Sequence, residues 1–118
     1  MDAGVKTVIY PVTDLEKAKA LYGGLLGVEP YADAPYYVGY KVGGEDTGQD
    51  IGLDPNGHKK GMTGPVAYHH VDDIKGTLRV LLDAGAKTQE DVHDVGGGRL
   101  IATVTDTDGN VIGLLQDA

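Results

Sequence analysis

The chain has 118 residues, of which 41% are hydrophobic, and its 18 acidic and 10 basic residues give a formal charge of -8. This length suits one compact domain, and the acidity argues against nucleic acid or an anionic membrane as a partner while favouring a cationic small molecule. Cysteine is absent, no segment is apolar enough to cross a membrane, and the chain does not begin like a signal peptide, so disulfides are excluded and a cytoplasmic location is predicted.

The first half of the chain predicts one strand, one helix and three further strands. Residues 5–12 alternate and are rich in β-branched side chains, as is typical of a strand. A helix capped by Thr13 or Asp14 should follow and end at Gly27. Its buried face is predicted from apolar side chains at three- and four-residue spacings, which are Leu15, Ala18, Leu21, Tyr22 and Leu25. Prolines restrict residues 29–35 to a short edge strand.

Two more strands, at residues 36–42 and 49–53, complete this half on either side of a turn at 43–46, and a polar linker follows at 55–64. The second half then repeats the order. Residues 65–71 predict a strand, and Asp72 and Asp73 predict the start of a helix that ends at Gly85. The buried face of this helix should consist of Ile74, Leu78, Leu81 and Leu82.

The chain ends in three predicted strands. Residues 87–95 and 99–105 flank a triple glycine, and a hairpin spans residues 101–115. The Asp-Gly pair in its turn, at 106–110, favours the positive φ angles that tight turns require. No G-x-G-x-x-G segment opens a helix, so the triple glycine predicts a flexible hairpin and not a phosphate site.

The two halves are internal repeats. Val12-Thr13-Asp14-Leu15 corresponds to Val71-Asp72-Asp73-Ile74, and Ile51-Gly52-Leu53 corresponds to Ile112-Gly113-Leu114, with offsets of about sixty residues. The order of elements therefore predicts an α+β fold. We expect a single domain of two βαβββ modules, at about residues 4–56 and 64–118.

Paired modules of this kind, with V-x-D-L or V-x-D-I opening each helix, resemble the vicinal oxygen chelate superfamily of glyoxalases, bleomycin-resistance proteins and extradiol dioxygenases. Leu25-Leu26-Gly27, Ala84-Gly85-Ala86 and the final D-x-D-G-N turn add to the resemblance, which covers essentially the whole chain. It implies a curved mixed sheet around a cavity. It also implies a homodimer, in which modules are sometimes exchanged between subunits.

In metal-dependent members of that superfamily, His, Gln or Glu stands on the first and last strand of each module. The corresponding first-strand positions, seven residues before the aspartate of V-x-D, are Thr7 and Val66, and the last-strand positions are Gly52 and Gly113. None of these residues supplies the imidazole or carboxylate that a divalent metal needs. The resemblance, taken with these four residues, therefore implies the metal-free branch, with no cofactor, whose members mainly bind and sequester small molecules.

An alternative metal site would draw on His69, His70, Glu90 and His93. Adjacent residues of a strand point to opposite faces, so His69 and His70 cannot easily share one ion. No catalytic residue is predicted either, because His70 has no nucleophile identifiable beside it.

Alternation along the strands predicts which side chains face the cavity. The predicted ligand-binding residues are Thr7, Ile9, Tyr40, Asp50, Gly52, Val66, Tyr68, His70 and Gly113. Tyrosines offer stacking surfaces, with Tyr36 or Tyr37 as alternatives to Tyr40, since a shift of one residue near Pro35 exchanges the faces. His70 offers a polar group and Asp50 an anion, while the two glycines would let a flat ligand approach the backbone.

Three functions remain open at this stage. The first is a metal-free binding protein, similar to bleomycin-resistance proteins, that sequesters a small aromatic compound. A cationic compound is favoured. The second is a lyase or isomerase that uses His70 or Asp50 as a general base. The third is an accessory domain without a ligand, in which side chains fill the cavity and the glycines only shape the sheet.

Overall fold

The computed structural model describes residues 3–44 and 48–118. Its elements follow the chain as β1 (Val5–Pro11), α1 (Leu15–Leu26), β2 (Ala32–Ala34), β3 (Tyr37–Val42), β4 (Gln49–Asp54), β5 (Val66–His70), α2 (Ile74–Asp83), β6 (Lys87–Asp94), β7 (Leu100–Thr105) and β8 (Val111–Gln116). The predicted turn at 43–46 includes residues 45 and 46, which lie outside the described residues. Within the described ranges, neither helix has the length and apolar character needed to span a membrane.

The chain divides into two compact units, Lys6–Val66 and a second that joins Ala67–Ala118 to residues 3–5. In the first unit the strands lie in the order β2-β3-β4-β1, with β1 parallel to β4 and the other pairs antiparallel. In the second the order is β5-β8-β7-β6, with β5 parallel to β8. The predicted α+β fold of two βαβββ modules is confirmed. The predicted linker, residues 55–64, lies inside the first unit and contains a short 3₁₀ helix, His58–Lys60.

Helix α1 begins where predicted, because the Asp14 carboxylate accepts a hydrogen bond from the Lys17 amide at 3.1 Å, and it ends at Gly27, whose φ is 70°. The stripe that packs on the core consists of the half-buried residues Leu15, Ala18, Tyr22 and Leu26. The prediction that Leu21 and Leu25 are buried is wrong, since they are 65% and 73% exposed. Each residue turns the helix by about 100°, which places both leucines beside the stripe and not on it.

Helix α2 is capped by Asp73, which accepts from the Gly76 amide at 3.1 Å, and by Gln116 of β8, which accepts from the Ile74 amide at 2.8 Å. Ile74 and Leu78 are buried in the core of this unit, and Leu81 packs at its margin. Leu82 was expected in this face but is 40% exposed, again because it lies one position beyond the stripe.

Two turns of the second unit depend on positive φ angles. Gly96, Gly97 and Gly98 between β6 and β7 have φ values of 123°, 65° and 87°. Residues with a side chain rarely adopt such angles, so three consecutive glycines are required by the backbone path. In the β7–β8 turn, Gly109 has φ 86°, and Asp106 accepts from the Asp108 and Asn110 amides. The predicted hairpin is confirmed.

Candidate functional site

In the first unit, strand side chains alternate between a face covered by α1 and an opposite face, which we term the helix-free face of module one. Across β1 and β4, Thr7 pairs with Asp50 and Ile9 with Gly52. Across β3 and β4, Gly39 pairs with Gly52 and Lys41 with Asp50. Their strand neighbours Val38, Leu53 and Tyr10 pack towards α1. Four predicted site residues therefore lie together on this face: Thr7, Ile9, Asp50 and Gly52.

Asp50 is a buried charged group on this face. It is only 9% exposed, and its Oδ1 accepts a hydrogen bond of 2.7 Å from the Tyr31 hydroxyl. The Tyr31 ring lies on Gly39, where an added Cβ atom would come within 2.9 Å of the ring. On the same ring, the Lys41 ammonium stands 5.0 Å from the centroid. A buried carboxylate thus accepts a hydrogen bond from a phenol whose ring lies on the backbone and close to a cation.

Gly52, beside Gly39, is covered by a second ring. A Cβ atom added to Gly52 would collide with the Tyr37 hydroxyl and lie 2.7 to 2.8 Å from carbons of its ring. We expected this glycine to leave room above the backbone for a flat ligand. The space above the Gly52 backbone is instead occupied by the Tyr37 side chain.

Tyr40 lies on the opposite face from the one predicted. It is almost fully buried in the core under α1, and its hydroxyl donates to the Lys19 carbonyl oxygen at 3.3 Å. Burial raises the pKa of Tyr40, and the nearby Lys19 ammonium lowers it only in part. The prediction that Tyr40 faces the cavity is wrong. Val38, Tyr40 and Val42 supply the apolar side of β3, which turns Tyr37 to the helix-free face.

The second unit repeats the arrangement of ring on glycine. Tyr68 pairs with Gly113 across β5 and β8, and its ring lies on that glycine so closely that a Cβ atom would come within 2.5 to 2.8 Å of ring carbons. Gly113 also pairs with Thr103 of β7, whose hydroxyl donates to Oε1 of Gln89 at 3.1 Å. Two predicted residues, Tyr68 and Gly113, are thus in direct contact.

His70, predicted as a polar group of the site, has a carboxylate neighbour. Its Nδ1 lies 3.4 Å from Oδ2 of Asp117, and Arg99 donates to Oδ1 of the same carboxylate through Nε at 3.0 Å and Nη2 at 2.9 Å. Partial burial of Asp117 would raise its pKa, but the hydrogen bonds and charge of Arg99, with a smaller contribution from His70, lower it overall. The adjacent His69 contacts the Ala3 carbonyl oxygen instead, at 2.7 Å.

The four positions that hold metal in metal-dependent relatives do not fit an ion in this chain. Thr7 and Val66 are buried, and neither offers an imidazole or a carboxylate. Gly52 and Gly113 have no side chain and lie beneath tyrosine rings. Among residues 3–44 and 48–118, no three His, Asp or Glu side chains gather closely enough to hold a metal. The donor chemistry at these positions is therefore unsuited to a divalent metal.

Several residues near the predicted site residues were not predicted from the sequence. Tyr31 lies between Pro30 and a three-residue strand, where no periodicity shows, and its partner Asp50 is 19 residues away. Arg99 and Asp117 stand at the ends of β7 and β8, next to the cross-strand pair Leu100 and Gln116. The register of the predicted hairpin could have indicated the contact between Arg99 and Asp117, since residues that flank a cross-strand pair also come together.

A sequence model described as the glyoxalase/bleomycin resistance protein/dioxygenase superfamily matches residues 4–114. No curated protein matches the chain in sequence. Among solved structures, a Streptomyces coelicolor methylmalonyl-CoA epimerase is similar with a TM-score of 0.76 and 14% identity, over 100% of this chain and 99% of that one. A superfamily member from Vibrio splendidus is similar with a TM-score of 0.68 and 16% identity, over 95% of this chain and 97% of that one.

The Mn(II)-bound glyoxalase from Novosphingobium aromaticivorans gives a TM-score of 0.71 and 22% identity, over 98% of this chain but only 39% of the glyoxalase. At such identities these structures show a shared fold, and the sequence model shows the family. The chain belongs to the glyoxalase/bleomycin resistance protein/dioxygenase superfamily.

Proposed function

We propose that this protein is a metal-independent binding protein that sequesters a small aromatic compound. One observation carries the proposal. At the last-strand position of each module, where metal-dependent relatives place a ligand to the ion, this chain has a glycine with an aromatic ring lying on it. Such positions accept a flat ring against the backbone and offer no donor to a cation.

The ligand-binding residues proposed in module one are Thr7, Ile9, Asp50 and Gly52, and those in the rest of the chain are Val66, Tyr68, His70 and Gly113. The buried Asp50 carboxylate and the charge of -8 disfavour an anionic ligand. Aromatic compounds that carry a hydrogen-bond donor or a positive charge suit this chemistry best.

Metal independence is tested by native mass spectrometry of the purified protein with and without EDTA. We expect the same protein mass in both spectra, because Thr7, Gly52, Val66 and Gly113 carry no imidazole or carboxylate. A co-purified organic compound would appear as an additional mass that organic solvent removes. Stoichiometric zinc, nickel, iron or manganese that disappears with EDTA would contradict the proposal.

Ligand preference is tested with two fluorescent aromatic probes of opposite charge, ethidium and fluorescein, by fluorescence polarisation. We expect ethidium to bind more tightly than fluorescein, because the charge of -8 attracts a cation and repels an anion, and we expect Asp50→Asn to weaken ethidium binding by removing one of these negative charges. Tyr68→Ala should weaken binding by about threefold to tenfold, the value of one aromatic contact. Tyr36→Ala is the matched control, because Tyr36 is 71% exposed. Unchanged affinity in both site variants would place the ligand elsewhere.

A second candidate function, a metal-independent lyase or isomerase, is favoured by one contact. His70 lies 3.4 Å from the Asp117 carboxylate, and a carboxylate that orients an imidazole is a common feature of general bases. An enzyme would convert a compound that a binding protein returns intact. NMR spectra of any retained compound, followed over hours with protein present, separate the two.

The homodimer and the cytoplasmic location stay predictions. Sedimentation equilibrium measures the first directly. Failure of every aromatic probe to bind would instead support a domain without a ligand, whose tyrosine rings only fill the space over the glycines.

A further inference from the structure

Tyr31 places a phenol where a ligand of the helix-free face would lie. Its ring rests on Gly39, its hydroxyl donates to Asp50 at 2.7 Å, and the Lys41 ammonium is 5.0 Å from the ring centroid. The ring and the hydroxyl of this phenol thus each have a matched group in the protein. Such contacts favour one chemical class of ligand.

The floor beneath this phenol is the backbone at Gly39, and the neighbouring Gly52 lies under the Tyr37 ring. Gly39 and Gly52 face each other directly across β3 and β4, so two neighbouring strands lack a side chain at the same level. Adding a Cβ atom to either glycine would drive it into a tyrosine ring. We name this two-glycine depression, with Asp50 at its end, the Gly39–Gly52 slot.

We propose that the Gly39–Gly52 slot is a binding site for a phenolic ligand, and that the Tyr31 side chain is its internal occupant, which the ligand displaces. This inference rests on the proposed binding function and names the ligand class and the residue that competes with it. Tyr31 is suited to displacement because it is 48% exposed and precedes the short edge strand β2. Tyr37, by contrast, begins the longer strand β3.

Lys41 decides between a phenol and a flat aromatic cation. A neutral phenol keeps the attraction between the Lys41 ammonium and the ring face, and its hydroxyl replaces that of Tyr31 on Asp50. A ring whose own head group is cationic would pair with Asp50 but bring a second positive charge beside Lys41. The Gly39–Gly52 slot therefore favours a neutral phenol over an aromatic ring with a cationic head group.

The proposal is tested with p-cresol, which reproduces the side chain of tyrosine, against toluene and benzamidine. Titrations use the full chain and its variants Tyr31→Ala, Tyr31→Phe and Tyr36→Ala, followed by NMR amide shifts and calorimetry. We expect p-cresol affinity to rise from wild type to Tyr31→Phe to Tyr31→Ala, by about tenfold or more overall, because each step weakens or removes the competitor. Tyr36→Ala should match wild type, since Tyr36 lies on neither glycine.

The amide shifts should centre on Gly39 and Gly52, and toluene should bind Tyr31→Ala about tenfold more weakly than p-cresol, because toluene has no hydroxyl to donate to Asp50. Adding Asp50→Asn to Tyr31→Ala should reduce this preference. If Tyr31→Ala fails to fold, Tyr31→Phe carries the test, and equal p-cresol affinity in Tyr31→Phe and wild type overturns the inference.

Other outcomes separate this inference from the proposed function. Shifts centred on Gly113, or benzamidine binding more tightly than p-cresol, would overturn the phenol slot and leave a metal-independent aromatic binder. The absence of binding by any aromatic probe would remove both.

Discussion

Single residues on the sheet of each module show how a glycine and a tyrosine act as one unit. Gly52 lies under Tyr37, and Gly113 lies under Tyr68. A ring laid on a glycine shields two strands of backbone from water and replaces the packing that the glycine lacks. A backbone that packs against a tyrosine ring can also pack against the ring of a ligand. Each glycine–tyrosine pair can therefore serve either structure or binding.

Gly52→Ala should destabilise the protein by about 1–3 kcal/mol, since the new methyl group overlaps the Tyr37 ring. Urea unfolding measures this loss. Gly24→Ala is the control, because Gly24 is an exposed helical residue with nothing within 4 Å of an added Cβ, and it should gain about 0.5–1 kcal/mol.

A second variant identifies the cause of the loss. Combined with Tyr37→Ala, Gly52→Ala should cost clearly less than it does in the wild-type background, because the ring it overlaps is gone. Additive losses would mean that the alanine acts on the strand itself and not through Tyr37.

Among the elements, the β7–β8 hairpin has a turn organised by one half-buried carboxylate, that of Asp106. Asp106 accepts hydrogen bonds from the Asn110 side chain and amide and from the Asp108 amide. The hydrogen bond from the Asn110 side chain is the largest cause that lowers the pKa of Asp106 below 3.8. A lowered pKa in the folded state means that this turn is stabilised above the unfolded pKa and loses that stabilisation as the pH falls through the folded pKa.

Carboxyl NMR titration should therefore give Asp106 a pKa below 3.8, and Asn110→Ala should move it upwards. Asn56→Ala, a change of the same kind in a turn of the other unit, should leave the Asp106 titration unchanged. If the Asp106 pKa is the same in Asn110→Ala and wild type, the amides alone determine it.

The helices illustrate where a local pattern stops being sufficient. Their first and last turns were predictable, since Asp14 and Asp73 cap amides three residues ahead and Gly27 supplies a left-handed end. The side chains on their buried faces were predicted less accurately. Leu21, Leu25 and Leu82 are apolar and recur at helical spacings, yet each lies beside the stripe that packs on the core, and all three remain exposed.

At the scale of the whole molecule, two repeated modules reach the same contact from different strands. The ring on Gly52 comes from β3, whereas the ring on Gly113 comes from β5. The repeat thus preserves the position of the last-strand glycine but not the origin of its tyrosine. A sequence comparison between the modules aligns the glycines and misses the correspondence of the rings.

The sequence by itself determined the order of elements, the caps and the turns, because each depends on residues close together in the chain. Only the tertiary structure decided which face of β3 carries Tyr37 and which carries Tyr40, because the register of a sheet depends on its neighbouring strands. It alone brought Tyr31 to Asp50, since that contact joins a segment without periodicity to a distant strand. The identity of the site depends on this second kind of information.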